Sequence, residues 1–135
     1  VPAPFVHRLR VRYGECDPQG VVFNAHYLAY FDIALTELWR ESLGGYRLMT
    51  DSGVDMVVAE AGVRYRASAG FDDELAISVA VSHLGNTSLG TAIEIRCDAL
   101  LVVEGEMRHV FVELATRTKC SIPEAVRQGL EAYAL

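Results

Sequence analysis

The stretch RYGECDPQGVVFNAHYLAYFD, Arg12 to Asp32, changes its apolar period midway, and that change sets the layout of the chain. Ahead of the change, residues 6 to 13 alternate, with Leu9, Val11 and Tyr13 on one side and Arg8, Arg10 and Arg12 on the other, as a half-buried strand does. Asp17, Pro18 and Gly20 end that strand in a turn. From Asn24 the apolar positions take helical spacing: Tyr27, Leu28, Phe31, Ala34, Leu35 and Leu38 share one stripe, with Asp32, Glu37 and Arg40 elsewhere on the surface. Asn24 is the expected N-cap, and Gly44 with Gly45 the stop. This is one long helix, the only convincing one before the C-terminal region.

Strand follows strand after it. Val54 to Tyr65 is rich in β-branched residues, and Leu75, Ile77, Val79 and Val81 alternate with small or polar partners. The same alternation runs through Thr91, Ile93, Ile95 and Cys97, and again from His109 to Leu114. Hairpin breaks are expected at Gly70 to Asp73, at Gly85 with Asn86, and at Glu104 with Gly105. A short helix starts around Ile122, with Ser121 as its N-cap and Pro123 near its first position. The pattern predicts an α+β fold in which a curved antiparallel sheet packs on the long helix. One helix covers only part of such a sheet, so the uncovered area and the edges call for a homodimer.

The 135 residues suit one domain, 1–135, and a composition 51% hydrophobic and 22% charged leaves no low-complexity linker. A net charge of -6 argues against a nucleic-acid partner, since apart from Arg8, Arg10 and Arg12 the basic residues are scattered. Cys16, Cys97 and Cys120 are odd in number and lack CxxC spacing, which suits reduced thiols in the cytoplasm. Neither a secretion signal nor a membrane-length apolar run is expected. Cys16 as a nucleophile is disfavoured, because strand alternation turns it away from Asp17 and no histidine adjoins it in sequence.

Asp17 is where chemistry is expected. On spacing alone it could be a turn residue whose carboxylate bonds the backbone two residues on. Its surroundings favour more: Gly20 permits a ligand to approach the main chain, and the amides of residues 22 to 26 fall near a helix start, where they can receive an anion. Acyl transfer fits that pair, because a carbonyl held against such amides becomes an oxyanion when Asp17, or water held by it, adds. Losing one directed donor of this kind costs about 2.7 to 4 kcal/mol in the transition state, against about 0.3 to 2 from a helix dipole. The directed amides of Val22, Phe23 and Asn24 are therefore the expected oxyanion donors.

Around them, His26 either faces the pocket or sits at an interface or in solvent, and Tyr27 is a core or dimer-contact aromatic with its hydroxyl near the site. Arg64 and Arg66 share a strand face and could meet phosphates or simply pair with surface acids. Asp72, Asp73 and Glu74 look like a solvated hairpin. No metal is expected, since His7, His83 and His109 show no ligand spacing, and no glycine pattern suggests a nucleotide cofactor.

Over nearly its whole length the chain resembles the hot-dog-fold acyl-CoA thioesterases, specifically the family of 4-hydroxybenzoyl-CoA thioesterase and the bacterial thioesterases associated with the Tol-Pal system. The resemblance is carried by VRYGECDPQGVVFNAHYLAYFDIA, VRYRASAGFDDEL, TSLGTAIEIRC, EGEMRHVFVELATR and SIPEAVR. It implies that Asp17 is the catalytic carboxylate, as nucleophile or general base, that amides around Asn24 polarise the thioester carbonyl, and that the active unit is a homodimer, often paired into a tetramer. It also implies that Gly20, His26, Tyr27, Arg64 and Arg66 lie toward the substrate, with CoA as part of the substrate and no separate cofactor. Gly14, Cys16 and the run Arg66-Ala67-Ser68-Ala69 depart from the family pattern, which bears on acyl preference and not on Asp17. Two alternatives stay open: a thioesterase for carrier-protein-linked acyl groups, and a non-catalytic acyl-ligand-binding protein.

Overall fold

The computed structural model describes residues 4 to 135. Its elements run β1 (Phe5–Arg10), α1 (His26–Leu43), α2 (Tyr46–Asp51), β2 (Val54–Tyr65), β3 (Glu74–Leu84), β4 (Ser88–Cys97), β5 (Leu100–Glu113) and α3 (Glu124–Glu131). The five strands form one antiparallel sheet in the order β1-β3-β4-β5-β2. The sheet wraps α1, which is the α+β hot-dog arrangement.

Alternation decides which strand face meets the helix. Leu75, Ile77, Val79 and Val81 of β3, with Leu89, Ile93 and Ile95 of β4, are buried on the inner face. On β5 the inward set is Val103, Met107, His109 and Phe111. From α1 they meet Tyr27, Tyr30, Phe31, Ala34, Leu35, Leu38 and Trp39. Gly105 of β5 lies under this helix: an added Cβ would run into the Gly62 carbonyl and come within 2.9 Å of the Phe31 ring. Its bare backbone lets α1 sit close to the sheet.

Local boundaries differ from the sequence expectation in several places. α1 begins at His26 with Ala25 as a helical N-cap and no side-chain cap, so Asn24 stands one residue outside and does not cap it. Tyr30, outside the expected stripe, is fully buried, and Leu28, within it, is exposed. Tyr13 leaves β1 altogether: a 3-10 turn over Tyr13–Glu15 throws it outward to stack edge-on against Phe71. Gly44 does end α1 in the left-handed conformation, φ 79°, but a further short helix, α2, follows it. Glu104 and Gly105 lie within β5, and the hairpin falls at Asp98 and Ala99, where Asp98 takes φ 53°. Ser121 does not cap α3; Pro123 holds the N-cap position.

Candidate active site

The segment between β1 and α1 is laced to the main chain of its neighbours. The Asp17 amide donates to the Val21 carbonyl and the Gly20 amide to the Asp17 carbonyl, both at 2.9 Å, while Gly20 takes φ 81°. A side chain there would be strained, which accounts for the glycine. The Val22 amide donates to Ala69 at 2.8 Å and the Phe23 amide to Glu15 at 3.0 Å. These bonds carry the chain from the turn into α1.

Asp17 is half-buried, and its two oxygens do different work. Oδ1 accepts from the Gln19 amide at 2.8 Å, the turn-forming contact. Oδ2 has no hydrogen-bond partner among the described residues. A turn aspartate and a reactive one are therefore compatible in the same side chain. Asp17 lines a cavity of about 170 Å³ together with Asn24, Tyr27, Tyr65, Ala67 and Ser68.

The expected oxyanion donors divide. The Val22 and Phe23 amides are occupied by Ala69 and Glu15, whereas those of Asn24 and Ala25 have no main-chain partner among the described residues. Asn24, at the helix entrance, thus keeps an unpartnered main-chain N–H and is one of the residues that line the cavity holding Asp17. Val22 and Tyr27 line that cavity too, while Gly20, Phe23, His26, Arg64 and Arg66 do not.

His26 points to Glu15 instead: its Nε2 lies 3.1 Å from Glu15 Oε2, and its ring meets Tyr30 edge-on. Glu15 also accepts from the Tyr30 hydroxyl at 2.8 Å and from the Arg12 amide at 2.7 Å. Burial works against its charge, but the Arg12 amide, Tyr30 and His26 together hold the carboxyl below the usual range. Burial pushes the Tyr27 phenol up, so it stays a neutral hydrogen-bonding group. Arg64 pairs with Glu104 and Glu106, and Arg66 with Glu104, at 2.7 to 3.3 Å. A phosphate there would have to displace those carboxylates. Cys16 packs toward the core with Sγ 3.8 Å from the Arg12 carbonyl, away from the cavity.

Two residues of this neighbourhood carried no role in the sequence reading. Tyr65 ends β2 and donates its hydroxyl to the Asn24 carbonyl at 2.9 Å. Glu15 is the hub of three hydrogen bonds. The Arg12 contact of Glu15 is local, within one turn, but its α1 partners and the partner of Tyr65 come from other elements. A cleft of about 640 Å³ lies along β1 between Arg8, Arg10, Arg12 and Phe71, and Asp17 takes no part in it.

A carboxylate with one free oxygen beside an unpartnered helix-entry amide is an arrangement for adding to a carbonyl. Comparison with known proteins places the class: residues 11–130 match the thioesterase-like superfamily, and the chain belongs to it, as a thioester hydrolase. It is 28% identical to a 1,4-dihydroxy-2-naphthoyl-CoA hydrolase of Synechococcus, over 98% of this chain and 94% of that one. It is 29% identical to the acyl-CoA thioester hydrolase YbgC of Escherichia coli, over 87% of this chain and 89% of the relative. A solved structure of an Aquifex aeolicus protein superposes with a TM-score of 0.90 at 27% identity, covering 94% and 99% of the two chains. The dynemicin thioesterase shares the fold, with a TM-score of 0.92 at 20% identity over 98% of each chain.

Proposed function

We propose that the chain hydrolyses an acyl-CoA thioester to the free acid and CoA, with Asp17 as nucleophile or as general base. The carrying observation is the pairing, on one cavity, of the unpartnered Asp17 Oδ2 with the free Asn24 amide. The names of the relatives support the substrate class. With the carbonyl oxygen against the Asn24 amide, either Asp17 or water deprotonated by Asp17 adds to the carbonyl carbon. The negative charge gathers on the oxygen, and collapse breaks the C–S bond and releases thiolate. In the nucleophilic course, water then cleaves the mixed anhydride and restores the carboxylate. No cofactor is needed, because CoA enters with the substrate.

The Val22 and Phe23 amides serve in this reading by fixing the loop. Gly20 permits the tight turn, and Tyr27 supplies a wall with its neutral hydroxyl. His26 acts through Glu15 and not on the substrate, while Arg64 and Arg66 offer charge to the CoA phosphates only by exchanging carboxylate partners.

The active unit we propose is a homodimer joined through β2. This strand is an edge of the sheet, twelve residues long, with Val57 46% and Val58 52% exposed. A long apolar edge left open is a template for pairing, and a second copy satisfies it by symmetry. No helix among the described residues is long and apolar enough to cross a membrane. With Cys16, Cys97 and Cys120 all free thiols, we place the protein in the cytoplasm.

Thiol release from an acyl-CoA panel, with Asp17→Asn as control, tests the assignment. The variant should fold and dimerise normally while single-turnover hydrolysis falls by orders of magnitude. Unchanged turnover would reject Asp17. Faster cleavage of the same acyl group on a carrier protein would move the substrate class, and an intact thioester after long incubation would make the chain a binder.

A further inference from the structure

The turn that carries Asp17 is the tip of a small hairpin, and the second leg of that hairpin rests on a distant segment. Cys16 faces Val22 in an antiparallel bridge, and Val21 makes a second such bridge with Gly70. The Val22 amide donates to the Ala69 carbonyl at 2.8 Å, so residues 69 and 70 support the leg along its length. The tip lies over the same place: a Cβ built on Gly70 would stand 3.3 Å from the Gly20 carbonyl. Gly20 in turn donates its amide to the Asp17 carbonyl at 2.9 Å. A displacement of Gly70 therefore reaches Asp17 through main-chain contacts alone.

The side chain of Asp73 fixes that support. Its Oδ2 accepts the Gly70 amide at 2.8 Å, and its own amide donates back to the Gly70 carbonyl at 3.2 Å, closing the turn from Gly70 to Asp73. In the sequence Asp72, Asp73 and Glu74 look like one solvated run, but Asp73 is half-buried and its two neighbours are exposed. A carboxylate that accepts a main-chain N–H makes a charge-assisted bond, shorter and stronger than a neutral one. Without that oxygen the Gly70 amide, in a part-buried place, loses its acceptor and the turn relaxes. The β1 side of the turn is held separately, since the Asp73 carbonyl accepts the Val11 amide at 2.9 Å whatever side chain stands at 73.

We infer that Asp73 is a positioning residue for Asp17: it sets the Gly70 amide, residues 69 and 70 set the hairpin, and the hairpin aims the reacting carboxylate. The inference rests on the reading of Asp17 as nucleophile or general base. Asp73 does not line the cavity that holds Asp17, so it acts on the substrate only through Asp17. The acceptor oxygen carries this role and the charge does not, which separates it from a through-space effect of one carboxylate on another.

The test uses substitutions that part acceptor from charge. Asp73→Asn keeps an acceptor oxygen in place and loses the charge, Asp73→Glu keeps the charge and moves the oxygens by one methylene, and Asp73→Ala loses both. Asp72→Asn removes a neighbouring charge from the same turn and is the control. In steady-state hydrolysis of the best acyl-CoA, kcat should fall about 10- to 100-fold in Asp73→Ala and Asp73→Glu with KM within about twofold, and stay within about threefold of wild type in Asp73→Asn and Asp72→Asn. Amide hydrogen exchange reads the chain of contacts directly: the Asp17 and Val22 amides should exchange faster in Asp73→Ala and Asp73→Glu and keep their protection in Asp73→Asn. Wild-type kcat in Asp73→Glu, or a fall in Asp73→Asn as deep as in Asp73→Ala, would overturn the inference. The Asn and Glu variants decide it even where Asp73→Ala does not fold. If Asp17→Asn abolishes single-turnover hydrolysis while every Asp73 variant turns over normally, the positioning role alone fails. A normally active Asp17→Asn would instead remove the function assigned to Asp17, and this role with it.

Discussion

The Tyr65 hydroxyl donates to the carbonyl of Asn24 at 2.9 Å and so ties the end of β2 to the residue just outside α1. The same residue, Asn24, has an unpartnered amide and lines the cavity that Asp17 lines. Tyr65 therefore holds the direction of the proposed oxyanion donor without touching the reacting carbon. Tyr65→Phe keeps the ring against Tyr27 but loses the tie. Because small misplacements of a reacting group are expensive, kcat should fall about 10- to 100-fold with little change in KM. Steady-state kinetics on the best acyl-CoA would show it, and an unaltered kcat would remove Tyr65 from the positioning set.

Glu15 ties its own turn to α1, accepting from the Arg12 amide within the turn and from the Tyr30 hydroxyl and meeting His26 on the helix. Against the cost of burial, these partners hold its carboxyl below the ordinary value of 4.5. A depressed carboxyl binds protons less readily in the folded than in the unfolded chain, so its stabilisation is complete above about pH 4.5 and fades as pH falls through the lower folded value. Glu15→Gln should be less stable at neutral pH and lose less of its remaining stability on acidification. Urea midpoints at pH 7, 5 and 4 would reveal the convergence of the two proteins, and parallel curves would contradict it.

Much of the fold was legible because period is a property of the chain itself. The long helix, the strand Val54 to Tyr65 and the inward residues of β3 and β4 follow from spacing alone. Failures cluster where another element decides. Leu28 stays outside the core although it shares the helix face of the buried Leu35, and Glu104-Gly105 imitates a hairpin because a glycine is needed beneath the helix. At the candidate site, Asp17 and the helix entrance lie within one short stretch and could be read together. Tyr65 could not, since the sheet brings it in from a distant part of the chain.

Gly105 makes the packing argument testable. An alanine there would press on Phe31 and on the Gly62 carbonyl, which belongs to the paired strand and cannot swing aside as a flexible side chain would. Overpacking of this kind costs about 1 to 3 kcal/mol. Gly105→Ala should lower the unfolding free energy by that amount, read as a lower urea midpoint at an unchanged m-value. Equal midpoints would mean that α1 has room to lift from the sheet.

The β2 edge carries the proposal with the widest reach, since an active unit of two chains makes turnover depend on concentration. Near the centre of this strand Val57 and Ala59 are exposed, and the pairing with β5 shifts register between Val58 and Glu60, leaving Ala59 unmatched in its own sheet. Lysines at 57 and 59 would set two charges into the middle of the open edge of each copy, and charged side chains on an edge strand, lysine above all, block edge-to-edge pairing. Val57→Lys with Ala59→Lys should shift light-scattering mass from a multiple of 14.8 kDa to the single-chain value at micromolar concentration. Thiol release should fall in step and recover as protein concentration rises, because assembly restores the missing wall. A monomer that keeps full turnover would show that each chain holds a complete site of its own.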